Sequence, residues 1–250
     1  MAEPTHALRT TPLGRRSRLL LVGLVGCTTG AQPCNATSPP IATASEWVGR
    51  HAPTRVETSA PIAVVPGAWV LHVGDSFVDA SFQQGLQPRF HAAGVRYIVR
   101  SETATYTTTW ANSADFDALL SRKPSLVIVT LGANEFDIPF PELHARAIET
   151  IARKIARARA SCVWTAPPMW RGDTGISHVI HDHCAPCIFF DSDAVLGGLS
   201  PNERGKDHIH PNRRGGSRWA DAFWQWLSEH RDPDRDHGPW ALVPFERRGT

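Results

Sequence analysis

The chain has 250 residues, 42% of them hydrophobic, which is enough apolar material for one sizeable core with tails at either end. Its formal charge is only +2 and its arginines are spread along the chain, so composition excludes nucleic acid as an implied partner. The 9 tryptophans suit either a packed core or a stacking surface for sugar rings, and composition does not choose between the two.

Taken in order, the chain begins with a basic stretch, Arg15, Arg16 and Arg18, followed by an apolar run from Leu19 to Gly26. That pattern reads as a signal segment over 1–27, too short to cross a bilayer as a permanent helix. Leu24, Val25, Gly26 and Cys27 resemble a bacterial lipobox, which implies lipidation of Cys27 and a membrane anchor at the cell envelope. Residues 28–60 are rich in Thr, Ser, Pro and Ala, the composition of a flexible linker. Export permits disulfides. Cys184 and Cys187 are the candidates, paired with each other or either one with Cys162, while Cys34 stays free in the linker. Spacing does not fix the connectivity.

Five short apolar runs read as buried strands, at 69–73, 95–99, 126–131, 162–165 and 188–190. Helical stretches lie between them at 79–93, 114–121 and 141–160, the last with Pro at its first turn and a basic second half. A final helix over 211–230 carries Trp219, Phe223, Trp224 and Leu227 on one face, to pack on the sheet. Strands alternating with helices predict an α/β fold, a three-layer α/β/α sandwich around a five-stranded parallel sheet. The domain spans 61–230, and 231–250 is a polar tail.

Three motifs fall at strand ends or just before the last helix: Gly74-Asp75-Ser76, then Gly132-Ala133-Asn134-Glu135, then Asp207-His208-Ile209-His210-Pro211. A serine hydroxyl needs a base to become a nucleophile, and a histidine oriented by a carboxylate supplies one near neutral pH. Asp207 and His210 are spaced so that a tight turn lets both serve one serine. In this order the motifs resemble those of the SGNH (GDSL) hydrolases, a flavodoxin-like fold, over most of 69–227. The resemblance implies Ser76 as nucleophile, His210 as base and Asp207 as its partner, with no cofactor and no metal. It also implies an oxyanion hole made by the Ser76 N–H, the Asn134 side-chain amide and a backbone N–H after the second strand. The family has a glycine at that last position. Here the segment 100–106 has none, and Ala104 or Thr105 is left to present the donor, Ala104 being the candidate.

His178, His181, Asp182, His183, Cys184 and Cys187 crowd one segment and include zinc-ligand types, although a disulfide is the commoner use of the cysteines in an exported chain. Trp110 and Trp170 are candidates for contacting an acyl group or a sugar, and Trp164 for packing. The expected function is an exported, lipid-anchored serine esterase acting on a small-molecule or carbohydrate ester, with O-acetyl groups preferred. Acyl transfer to a sugar hydroxyl by the same residues, and a non-catalytic envelope binding protein of the same fold, are the alternatives.

Overall fold

The computed structural model describes residues 68–231 together with Trp240 and Leu242. The expected signal segment with Cys27, the linker with Cys34 and most of the C-terminal tail lie outside the described residues. Five strands, β1 (Trp69–Gly74), β2 (Arg96–Ser101), β3 (Leu126–Thr130), β4 (Ser161–Thr165) and β5 (Ile188–Phe190), form one sheet. It is parallel throughout, in the order β2-β1-β3-β4-β5. The central strands bury both faces, as their unbroken apolar runs require. Leu71, Val73, Val127 and Val129 point into one core and Val70, Leu126 and Ile128 into the other.

Helices cover both faces: α1 (Gln83–Ala92), α2 (Thr107–Ala111), α3 (Ala114–Ser121), α4 (Ala145–Arg157), α5 (Ile176–His183), α6 (Ser192–Leu196) and α7 (Arg213–Glu229). Residues of α2, α3, α4 and α5 pack into the first core, and residues of α1, α6 and α7 into the second. The layered α/β/α architecture expected from the alternating pattern is therefore the observed one. In this strand order the connections reverse direction at β1, and in open parallel sheets the crevice at such a reversal, beyond the strands' carboxyl ends, is where ligands bind. The Gly74-Asp75-Ser76 turn sits at that end of β1.

Two local departures matter for the site. The first helix does not run unbroken from residue 79. A π-helical turn, Val78–Phe82, precedes α1, with Ser81 in the left-handed region at φ 93°. The Ser81 hydroxyl donates to the Asn212 carbonyl at 2.8 Å, a bond to a distant segment that a regular turn would not offer. The segment after the fourth strand is also not simply loop: residues 176–183 form α5, which buries Ile176 and Ile180 and leaves its histidines outward or half-exposed.

The structure selects one of the cysteine pairings that spacing left open. Cys162 and Cys187 form the disulfide, and Cys184 is free and buried. The register explains the choice. Val163 pairs with Ile188, so the residues just before them on the adjacent strands, 162 and 187, are already neighbours. Cys184 instead caps α5 inside the apolar core, where burial pushes its thiol up to about 12, far from reactive. A bridge between residues 25 apart contributes about 3 kcal/mol by constraining the unfolded chain. The zinc-like assortment does not converge either. His183 meets Glu149 at 2.9 Å and His181 meets Asp182 at 2.9 Å, and no group of three metal-ligating side chains comes together among the described residues.

Candidate active site

The turn after β1 is built by its own backbone. Asp75 N–H donates to Thr130 O at 3.2 Å, Val78 N–H to Asp75 O at 3.1 Å, and Phe77 N–H to the Asp75 carboxyl at 2.9 Å. Ser76 is thereby held at the sheet's edge, partly exposed, with an N–H that makes no hydrogen bond among the described residues. Gly74 is what allows the approach: a Cβ there would collide with Thr130 O and lie 2.7 Å from Val78 Cγ2.

His210 arrives from the other end of the domain. A tight loop over 205–210 closes with Gly205 N–H on His210 O at 2.7 Å and His208 N–H on Gly205 O at 3.0 Å. His208 takes the left-handed conformation, φ 59°, and is exposed. One oxygen of Asp207 accepts from Ile209 N–H at 3.0 Å and His210 N–H at 3.1 Å, and the other lies 2.6 Å from His210 Nδ1. A single carboxylate thus shapes the loop and orients the ring. Its hydrogen bond with His210, more than any other contact, holds the carboxyl down at about 2, so it stays ionised. With the ring proton on Nδ1, Nε2 accepts from the Ser76 hydroxyl at 2.8 Å. The Ser76–His210–Asp207 chain is continuous.

Three residues that the sequence reading passed over hold this loop. The buried Arg204 donates to Ile209 O and to Met169 O, each at 2.6 Å, strapping the histidine loop to the one that carries Trp170. The Ser81 hydroxyl reaches the Asn212 carbonyl, tying the helix after Ser76 to the segment after His210. The Asn212 side chain caps α7, accepting from Arg214 N–H at 2.9 Å and Gly215 N–H at 3.1 Å. Only Asn212 had a readable signal, a cap residue just before an apolar helical repeat. A buried arginine bonded to carbonyls leaves no periodic trace.

The 3-10 turn Ala133–Glu135 follows β3 and presents Asn134. One amide hydrogen of Asn134 is held by Thr105 O at 2.8 Å, and the other meets only the Asp75 carboxyl, at a long 3.4 Å. Ala104 adopts φ 59°, so the left-handed turn for which the family resemblance implies a glycine is kept without one, at a cost of about 1 kcal/mol. Its N–H makes no hydrogen bond among the described residues. Asp75 is fully buried, and that burial, reinforced by nearby Glu135 and opposed by the Phe77 N–H, pushes its carboxyl up to about 8.

The two tryptophans part company. Trp110 is 3% exposed, packs edge-on to Phe116 at 5.9 Å and donates from its indole to Thr105 Oγ1 at 2.9 Å. Its ring leaves no open face for a substrate, which corrects the sequence reading: the chain turns into α2 just after the second strand and carries the ring inward. Trp170 is half-buried beside the triad. Its ring lies 5.8 Å from Phe77, which in turn lies 4.9 Å from His210, and 4.4 Å from Phe136. Trp164 is core.

No family model matches the chain, and no curated protein shows significant similarity to it. Solved structures do. The esterase EstA from Pseudoalteromonas sp. matches at TM-score 0.51 and 19% identity, covering 64% of this chain and 97% of its own. TesA matches at TM-score 0.52 and 21% identity, covering 64% of this chain and 98% of its own. A carbohydrate esterase of family 3 from Talaromyces cellulolyticus matches at TM-score 0.50 and 16% identity, covering 65% of this chain and 97% of its own. The match takes in nearly the whole of each neighbour and about two thirds of this chain, and the likeness is one of architecture. The chain adopts the fold of the SGNH (GDSL) hydrolases.

Proposed function

We propose that the protein is a serine esterase working through an acyl-enzyme. The single observation that carries this reading is the unbroken chain of hydrogen bonds, 2.8 Å from Ser76 Oγ to His210 Nε2 and 2.6 Å from His210 Nδ1 to Asp207. His210 takes the Ser76 proton as Oγ attacks the ester carbonyl. The ionised Asp207 stabilises the imidazolium and fixes its tautomer. Negative charge forming on the carbonyl oxygen meets the unengaged N–H groups of Ser76 and Ala104 and the loosely held Asn134 amide hydrogen, a set of donors in place before the reaction starts. Collapse expels the alcohol, which takes the proton from His210. Water, deprotonated by the same imidazole, then releases the acid and frees Ser76.

The ester we favour is a short acyl group on a carbohydrate. Trp170 and Phe136, half-exposed beside the base with Trp170 stacked on the buried Phe77, offer a surface for a sugar ring, and among the structural neighbours are proteins described as esterases and as a carbohydrate esterase. Steady-state hydrolysis of p-nitrophenyl acetate by the full-length chain tests the reading. Wild type should turn over and Ser76→Ala should be slower by at least about a thousandfold. Equal rates would remove Ser76 from the mechanism.

We also infer export and a lipid anchor at Cys27. The Cys162–Cys187 bridge supports an oxidising compartment, and the basic-then-apolar start of the chain supports the anchor. The full-length chain should sediment with membranes and Cys27→Ser should be soluble. A soluble wild type contradicts the anchor.

A further inference from the structure

Glu135 is wholly buried beside the site, yet it has no part in the proton path. One of its oxygens accepts from Thr107 N–H at 2.5 Å and lies 3.4 Å from His144 Nδ1, while Thr107 Oγ1 lies 2.7 Å from the same ring nitrogen. The other oxygen is buried without a hydrogen-bond partner among the described residues. Burial pushes the pKa of this carboxyl above the ordinary carboxylate range, against the pull of the Thr107 bonds and His144. A half-satisfied buried carboxyl costs stability, and such exceptions in a folded chain call for a compensating role.

What Glu135 grips suggests the role. Thr107 is the first residue of α2, a helix of only five residues, too short to hold itself together in water. Its place is therefore imposed from outside. The segment leading into it, residues 102–107, carries Ala104 and its free N–H. That segment is fastened at its start by Glu102 N–H on Gly74 O at 3.0 Å. It is fastened in the middle by the Asn134 amide on Thr105 O and the Trp110 indole on Thr105 Oγ1. Glu135 fastens its end. Asn134 and Glu135 are adjacent on one 3-10 turn, so that turn both presents a donor of its own and fixes the strand of chain that presents the next.

We propose that Glu135 is a positioning residue that, through the Thr107 N–H, sets the backbone donor at Ala104 against the Asn134 amide. With no glycine in the segment, the left-handed turn at Ala104 is strained and needs external clamping, which is why a buried carboxyl is kept there. The proposal rests on the reading of Ser76 as nucleophile. It predicts that donor geometry, not substrate affinity, is lost when the clamp goes.

The test uses p-nitrophenyl acetate and the full-length chain, assayed well below each variant's melting temperature. Glu135→Ala should lose about ten- to a hundredfold in kcat with KM changed by less than about threefold, since a misplaced oxyanion donor is missed in the transition state and not in the ground state. Glu135→Gln keeps an oxygen for the Thr107 N–H and should restore kcat to within about threefold of wild type. Thr107→Pro removes the N–H that donates to Glu135 and also the hydroxyl beside His144, the loss of which Thr107→Val measures by itself, in a helix position that tolerates proline, after a residue, Tyr106, already extended at φ −113°, ψ 166°. It should reproduce the kcat loss, and it decides the matter if Glu135→Ala does not fold. Wild-type kcat in Glu135→Ala, or in Thr107→Pro where only that variant folds, overturns the proposal, as does Glu135→Gln being as slow as Glu135→Ala. A wild type no faster than Ser76→Ala overturns the esterase reading together with it, whereas an active wild type beside an active Glu135→Ala overturns only the clamp.

Discussion

Asp207→Asn should fold normally and lose about 10⁴-fold in kcat on p-nitrophenyl acetate. The asparagine oxygen can still accept from the Ile209 and His210 N–H groups, so the loop at 205–210 survives. What changes is the ring proton. An amide NH₂ facing Nδ1 drives the proton onto Nε2, where it meets the Ser76 hydroxyl and leaves no lone pair to accept from it. Circular dichroism and the melting temperature check the fold, and a kcat loss below about tenfold would show that Asp207 does not set the tautomer. The acid side of the wild-type profile follows from the same contact. With its carboxyl held at about 2, Asp207 remains ionised on mild acidification, so protonation of this carboxyl is not what would lower activity there. The sign for stability is the ordinary one for a depressed carboxyl. Its small contribution is present above the unfolded value near 4 and is lost as pH falls towards 2.

Gly74→Ala should cost about 3 kcal/mol and abolish activity, with Gly172→Ala as a neutral control. The added Cβ at 74 meets the Thr130 carbonyl, which is backbone of the neighbouring strand and cannot rotate away, whereas the one at 172 meets nothing within 4 Å. Relief requires the end of β1 to leave β3, breaking the bond from Asp75 N–H to Thr130 O that seats Ser76. The glycine of this motif is thus a packing requirement at the reversal point of the sheet. Urea unfolding of the two variants beside wild type measures it. A Gly74→Ala midpoint equal to that of Gly172→Ala contradicts the account.

The sheet was legible because buried parallel strands have to be short apolar runs, and the five runs lie within two residues of the observed strands, although β2, an edge strand with Arg96 and Arg100 exposed, is not buried as expected. The positions of Ser76, Asn134, Asp207 and His210 were legible through the resemblance of three short motifs, in order along the chain, to those of a known family, two of them at strand ends and the third before the last helix. What was not legible depended on contacts between distant segments. The helix α5 hides because its outward face is histidine and aspartate and only Ile176 and Ile180 are fully buried. The helix α2 hides because its threonines have no preference for helix and its place comes from Glu135 and its neighbours. Trp110 reads the same in sequence whether its ring turns to solvent or into the core, and only the course of the chain after β2 decides it. The cysteine pairing awaited the register of β4 on β5. Arg204 and Glu135, buried charges bonded to backbone, follow no period at all.

The central claim is that Ser76 is made nucleophilic by His210 across a sequence separation of 134. Treating the folded full-length chain with a fluorophosphonate and mapping the adduct by peptide mass spectrometry tests it without any assumption about substrate. One phosphonyl group per chain on Ser76, absent from His210→Ala, is the predicted result. An unmodified Ser76 in the folded wild type, or equal labelling in His210→Ala, would contradict it.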